Sequence, residues 1–294
     1  MTPPNRDAVR IDALTGTPVI VSAHRQARPE RLPAADAAGE PGCPFCPGGL
    51  EAPEPYVVRW FVNRWPALPD GRSQVLLYSP DHDASLWSLG VDGARRVVDL
   101  WTERTAALGE RPDVAYVLLF ENRGAEVGAT ISHPHGQVYA FAEVPPVPAR
   151  ELAASECALC AEEPGPRVVT SAGAWQAWVP AASGWPFGMV LAPRAHRPDL
   201  PTLADDERHD LARLLVDVLA RLDRLFGAPM PYLLWVHQRP TDGDAWPQAH
   251  VHIEISPQWR ARGTPRYVAS GELGSGVLFN PVPPEDAARR LREA

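Results

Sequence analysis

His133-Pro134-His135-Gly136-Gln137, leading into Val138-Tyr139-Ala140-Phe141, is met again in altered form as His250-Val251-His252, leading into Ile253-Glu254-Ile255. Apolar and polar residues alternate after each His-x-His, as on a strand with one buried face. Upstream of each stands a lone histidine: His82 closes Val75-Leu76-Leu77-Tyr78-Ser79-Pro80-Asp81-His82, and His196 closes Met189-Val190-Leu191-Ala192-Pro193-Arg194-Ala195-His196. Further upstream lie Cys43-Pro44-Phe45-Cys46 and Cys157-Ala158-Leu159-Cys160. From first cysteine to lone histidine the step is 39 residues in both halves, and from there to the His-x-His it is 51 and 54. Asp92 and Asp206 each follow the lone histidine by ten residues and open amphipathic stretches, 92–108 and 206–225. Val97, Val98, Leu100 and Trp101 share one helix face, as do Leu211, Leu214, Leu215 and Val218. The apolar runs 115–120 and 232–236 then read as buried strands. Chance supplies one cysteine pair; two with matched spacings and matched helix onsets mean duplication. The expected fold is α+β: two halves, each an antiparallel sheet with a long helix, related by a pseudo-twofold. The domains are expected at 1–146 and 147–294, with the proline-rich Val144-Pro145-Pro146-Val147-Pro148 as linker and 30–42 as a surface loop.

The chain has 294 residues and is 45% hydrophobic, enough for two domains of ordinary size. A net charge of −8 excludes a nucleic-acid-coating protein, which would show a basic face. All 28 basic residues are arginine, beside 34 prolines, a bias that reflects genomic base composition before function. No apolar run reaches the ~18–20 residues that span a bilayer. The opening Met1-Thr2-Pro3-Pro4-Asn5-Arg6-Asp7 lacks the apolar core of a signal peptide. A cytoplasmic protein without nucleic-acid or membrane partners is expected. Disulfides are rare in that compartment, so the two Cys-x-x-Cys pairs point to metal.

Cys43, Cys46, His82 and His133 form one Cys2His2 set, and Cys157, Cys160, His196 and His250 a second. Zinc takes thiolate and imidazole in a tetrahedron, and a Cys-x-x-Cys turn presents two thiolates to one ion. All-protein ligand sets predict closed, structural sites. If metal holds His133, alternation turns His135 away from it and into a pocket, and Gly136 leaves room for a ligand to come close. A pinned neutral imidazole is a good nucleophile toward phosphorus, since attack needs a lone pair at neutral pH.

The five residues His133-Pro134-His135-Gly136-Gln137 resemble the signature of the galactose-1-phosphate uridylyltransferases, within the histidine-triad superfamily. The resemblance covers nearly the whole chain: the opening from Thr15 to Pro29, then Phe61-Val62-Asn63, Ser79-Pro80-Asp81-His82 and Phe120-Glu121-Asn122-Arg123-Gly124-Ala125 follow in family order. It implies two histidine-triad-like halves. It also implies that His135 attacks the α-phosphorus of UDP-glucose, releasing glucose 1-phosphate, and that the uridylyl-histidine passes UMP to galactose 1-phosphate. Gln137 would hydrogen-bond a phosphoryl oxygen, Arg25, Arg28, Asn63 and Asn122 would surround the nucleotide and phosphates, and Thr130 would lie in the loop before the motif. Arg266, Tyr267 and Glu272 resemble sugar-reading positions. A homodimer with the active site near the subunit boundary is implied. The family's second metal would be held by Glu151, His237, His250 and His252, with iron as the alternative to zinc; thiolates outcompete carboxylate for zinc, which favours the cysteine set.

Histidine-triad hydrolases carry a third histidine where this chain has Gln137. That histidine protonates a poor leaving group; a sugar phosphate leaves without a proton, so a neutral amide suffices and transfer is favoured over hydrolysis. His252, followed by Ile253-Glu254, belongs to a degenerate copy. Arg64 follows Asn63 where many members carry an acid, and Gly274-Ser275-Gly276-Val277-Leu278-Phe279-Asn280-Pro281 is similar to a branch of nucleotide-sugar phosphorylases. The alternatives are therefore a phosphorylase using inorganic phosphate on a nucleotide sugar or dinucleoside polyphosphate, and a non-catalytic zinc-stabilised nucleotide-binding module.

Overall fold

The two long amphipathic stretches form helices α1 (Gly90–Gly109) and α4 (Asp205–Leu225), which pack on each other and on one face of a single sheet. A computed structural model describes residues 8–13, 15–21 and 42–294. Arg25, Arg28 and most of the expected 30–42 loop lie outside the described residues.

The strands of the first half are β3 (Arg59–Val62), β4 (Ser73–Leu77), β5 (Tyr116–Arg123) and β6 (His135–Phe141), after a separate hairpin of β1 (Ala8–Ile11) and β2 (Pro18–Val21). Two short helices, α2 (Pro146–Leu152) and α3 (Ala158–Ala161), lead to the second half: β7 (Val168–Ala172), β8 (Trp175–Trp178), β9 (Met189–Pro193), β10 (Tyr232–His237) and β11 (His252–Pro257). A small hairpin, β12 (Trp259–Ala261) with β13 (Thr264–Pro265), and helices α5 (Ser270–Ser275) and α6 (Pro284–Glu293) follow. Within the expected linker a helix begins. Proline fixes φ near the helical value and has no N–H to lose in the first turn, so Pro146 starts α2 rather than preventing it.

The sheet is antiparallel throughout, in the order β3-β4-β6-β5-β10-β11-β9-β8-β7. The two half-sheets therefore join edge to edge through β5 and β10. Phe120 faces Gln137 across β5 and β6, and Trp235 faces Glu254 across β10 and β11. Phe120 also faces Trp235 across the junction, so the pseudo-twofold passes through that pair. The strand alternation sorts the faces. Val117, Leu119, Val138, Ala140, Leu234, Val236, Ile253 and Ile255 turn toward the helices, where they join Val97, Trp101, Leu211, Leu215 and Val218 in one buried core. The other face carries His135, Gln137, His252 and Glu254, half-buried.

Asp223 of α4 ties the halves together from the second side. It accepts from Arg123 Nη1 at 2.7 Å and Nη2 at 2.9 Å, from Trp87 Nε1 at 2.7 Å and from the Met230 amide at 2.8 Å. Asp223→Ala would strand a largely buried guanidinium and an indole N–H. It is expected to cost about 3–5 kcal/mol of unfolding free energy in urea titration, with Asp223→Asn losing less.

Candidate active site

His135 opens β6 and sits between two constraints. Its Nδ1 lies 2.8 Å from the carbonyl oxygen of His133, so Nδ1–H donates and the neutral ring keeps its lone pair on Nε2. The ring of Phe45 stands edge-on at 5.1 Å. With Gln137, Asn122, Thr130, Phe120, Gly128, Ala129 and Tyr139, His135 lines a pocket of about 90 Å³. Four of the expected residues, His135, Gln137, Asn122 and Thr130, are thus brought together. Phe120 and Tyr139, whose rings meet at 4.7 Å, were not foreseen, although both follow from alternation.

Behind this pocket lies the first metal-ligand set. One ligand atom from each of Cys43, Cys46, His82 and His133 falls within 4.8 Å of all the others. Cys46 Sγ is 3.6 Å from Nδ1 of both His82 and His133. His133 is buried, and its Nε2–H donates to the Ser79 carbonyl at 2.7 Å, beside the Tyr56 hydroxyl at 2.9 Å. This partner holds the Nδ1 lone pair toward the sulfurs, the outer-sphere arrangement of a metal-binding histidine. Burial pushes the His133 imidazole down to about 4 and, together with Cys43, pushes the Cys46 thiol up to about 11. A divalent cation would satisfy both at once, and a donor set of two thiolates and two imidazoles fits zinc.

Cys157, Cys160, His196 and His250 repeat the arrangement, with Cys160 Sγ 3.2 Å from His196 Nδ1 and Cys157 Sγ 3.4 Å from His250 Nδ1. His250 Nε2 faces the Pro193 carbonyl at 3.0 Å, as His133 faces Ser79. Glu151, His237 and His252 do not compete for the same ion. They meet Glu254 in a third cluster, at the edge of a cavity of about 340 Å³. His250 belongs with the cysteines, so the two second-site sets are separate places rather than alternatives. Glu254 was missed, though it stands at the position of Gln137.

That third cluster gives the second copy surroundings unlike those of His135. His252 Nδ1–H donates to the His250 carbonyl at 2.8 Å, as His135 does to His133. Yet its Nε2 faces Glu151 and Glu254, each at 3.9 Å. Two carboxylates repel an incoming phosphate where Gln137 would hold one.

The remaining expected residues fall elsewhere. The Asn63 side-chain oxygen accepts from the Trp65 amide at 2.8 Å, and Arg64 pairs with Glu51 at 2.9 Å. Arg266 and Glu272 are buried against each other at 2.5 Å, while Tyr267 is exposed. None of these lines the His135 pocket. Gly136 also differs from expectation. Its missing side chain points to the core and makes room for Tyr78 rather than for a ligand: a Cβ there would lie 2.0 Å from the Tyr78 hydroxyl.

Among the described residues no helix is long and apolar enough to cross a membrane. The family model for the N-terminal domain of galactose-1-phosphate uridyl transferase matches residues 64–145, and that for its C-terminal domain matches 147–292. The galactose-1-phosphate uridylyltransferase of Thermotoga maritima is 33% identical, over 97% of this chain and 98% of its own length. That of Streptomyces lividans is 37% identical over 85% and 78%, and an ADP-glucose phosphorylase of Arabidopsis thaliana 27% over 97% and 92%. A solved uridylyltransferase structure superposes with a TM-score of 0.85 at 30% identity, covering 97% of both chains. An ADP-glucose phosphorylase of Arabidopsis thaliana, solved with ADP-glucose, gives 0.78 at 26%, covering 98% of both. The chain, matched along both of its halves and at full length by these relatives, belongs to the galactose-1-phosphate uridyl transferase family.

Proposed function

We propose that this protein is a galactose-1-phosphate uridylyltransferase, working by ping-pong transfer through a uridylyl-histidine at His135. The observation that carries the reading is the His135 ring, pinned through Nδ1–H with Nε2 in a pocket shared with Gln137. Nε2 attacks the α-phosphorus of UDP-glucose, the bond to glucose 1-phosphate breaks, and the sugar phosphate leaves as an anion. The positive charge that forms on the ring is taken up by the Nδ1–H bond to the His133 carbonyl. A phosphate oxygen of galactose 1-phosphate then displaces His135 from phosphorus and returns its lone pair. Asn122 and Thr130 contact the nucleotide, with Arg25, Arg28 and Asn63 completing its surroundings. In a cytoplasmic homodimer the exposed Tyr267 reads the sugar phosphate near the subunit boundary, on a segment held by the buried Arg266–Glu272 pair. The functional halves are 1–146 and 147–294, which places the join at the start of α2. Zinc held by Cys43, Cys46, His82 and His133, and by the second cysteine set, closes the fold around the site.

Gln137 sets transfer against hydrolysis. Its amide holds a phosphoryl oxygen but cannot act as a base toward water. Double-reciprocal plots are expected to be parallel, with little free UMP formed without acceptor. Gln137→His should slow adduct formation about a hundredfold, for a donor worth roughly 3 kcal/mol, while raising hydrolysis relative to transfer. Intersecting plots would count against the mechanism. The resemblance of Gly274–Pro281 to a phosphorylase branch supports the rival substrate, and intact mass after incubation with nucleotide sugars alone separates the two: a UMP adduct supports the uridylyltransferase, an AMP adduct the phosphorylase, and no adduct overturns both.

A further inference from the structure

The duplication supplies an internal comparison around the nucleophile. In the second half β10 and β11 stay paired through Val236–Ile253 and His237–His252. In the first half the β5–β6 ladder stops at Phe120–Gln137. The equivalent next pairs, Glu121 with Gly136 and Asn122 with His135, are not made, and the pocket lies where the strands part. Three local differences accompany the opening. Glu121 stands where the second half has Val236, and Gly136 where it has Ile253. Tyr78 is an inserted residue. Leu76 faces Gly136 and precedes Ser79, whose carbonyl receives His133, by three residues; in the second half Leu191 faces the equivalent Ile253 and precedes Pro193, whose carbonyl receives His250, by two.

Tyr78 brackets His135. Its amide donates to the Pro134 carbonyl at 3.2 Å, and its buried hydroxyl lies under Gly136, near the Phe120 carbonyl. Glu121 is buried beside it and accepts from the Tyr232 hydroxyl at 2.7 Å, across the junction of the halves. Among the described residues, the Tyr78 hydroxyl and Glu121 Oε2 have no aligned hydrogen-bond partner. Burial is the main cause that raises both groups, Glu121 to about 7, and each perturbs the other. Buried polar atoms left in this state cost stability, and the second half fills the equivalent positions with apolar side chains. The rings of Tyr78 and Tyr232 pack in the core, Tyr78 edge-on to Trp101 at 6.2 Å, but that packing does not call for the Tyr78 hydroxyl or the Glu121 carboxylate.

The geometry points to Tyr78 as a positioning residue: its phenol, backed by Glu121 and Tyr232, wedges β5 from β6 at Gly136 and keeps open the pocket between Asn122 and His135. This rests on His135 being the nucleophile and explains how one copy of the duplicated unit was opened for phosphoryl chemistry while the other stayed zipped.

The test is Tyr78→Phe, with the rate of wild-type His135 nucleotidylation by UDP-glucose measured first. Absence of a wild-type adduct overturns the nucleophile assignment and this inference with it. Given that adduct, Tyr78→Phe removes an unsatisfied hydroxyl. Adduct formation should slow about tenfold while the melting temperature holds or rises by roughly 2–4 °C. Glu121→Gln, which keeps a polar group of the same shape, should retain the rate, and Glu121→Leu should lose it. In a Gly136→Ala background Tyr78→Phe should instead raise the rate, because it removes the atom that meets the new methyl group. A wild-type rate in Tyr78→Phe overturns the wedge alone, as does a loss of rate matched by a loss of stability.

Discussion

His135→Asn is expected to abolish both nucleotidylation and turnover, a loss on the order of 10⁴-fold or more, because the covalent route loses its attacking atom. The variant should keep its fold and its metal, since His135 is not in either cysteine-containing set. Its Nδ1–H bond to the His133 carbonyl orients the ring without carrying the strand, which β4 holds through the Leu77–His135 and Leu76–Gly136 pairs. His252→Asn is the matched control. The two histidines share a backbone position and a hydrogen bond, so a purely structural role would make the two variants alike. The neighbours decide otherwise: Gln137 and Asn122 face His135, whereas Glu151 and Glu254 face His252. Full turnover is expected in His252→Asn. Equal loss in both variants, by steady-state assay and intact mass, would contradict assignment of the chemistry to one half.

Cys43→Ser is expected to have the largest effect on stability. Cys43 is buried, its Sγ lies 3.9 Å from His133 Nδ1, and the cluster they share therefore anchors the turn that leads to His135. Structural zinc contributes about 10 kcal/mol or more to small domains that depend on it, and removing a thiolate ligand forfeits much of that. Soluble yield should fall sharply, and the remaining protein should hold close to one zinc rather than two. Cys157→Ser should lose the other zinc while sparing more of the activity, since its cluster contains His250 rather than His133, the neighbour of the His135 turn. Thiols must lose protons to bind, so metal retention should weaken as pH falls, followed by release to a chromogenic chelator. Wild-type protein without zinc, whose melting point ignores chelators, would defeat the structural-metal assignment.

Much of this architecture was legible because its signals are local or repeat. Periodicity placed α1 and α4 to within a residue or two, and matched Cys-x-x-Cys, His and His-x-His spacings revealed the duplication before any contact was known. Alternation alone also put His135 and Gln137 on one face; it would put His133 there too, and His133 turns into the cysteine cluster because β6 begins only at His135, after Pro134. The same alternation held Phe120, Tyr139 and Glu254, and they were passed over only because apolar and acidic side chains on a strand look like ordinary packing and solvation. Within segment 144–148 the start of α2 was not legible, since prolines that interrupt a helix interior also begin one.

The sequence by itself determined the repeat and the grouping of the two cysteine-histidine sets, and it singled out His135 as the candidate nucleophile, since each rests on residue type and spacing along the chain. Tertiary structure alone decided the joining of β5 to β10, the separation of the Glu151 cluster from the cysteine set, the pairing of Arg266 with Glu272 and the place of Tyr78 under Gly136. Each of these depends on a strand register or a side-chain direction set by partners distant in sequence. A strand's period of two names two faces but not which face meets the core, nor where a ladder ends. Glycine at 136 likewise signals an absence of side chain, and only the packed molecule shows that a tyrosine from the neighbouring strand's end fills the space.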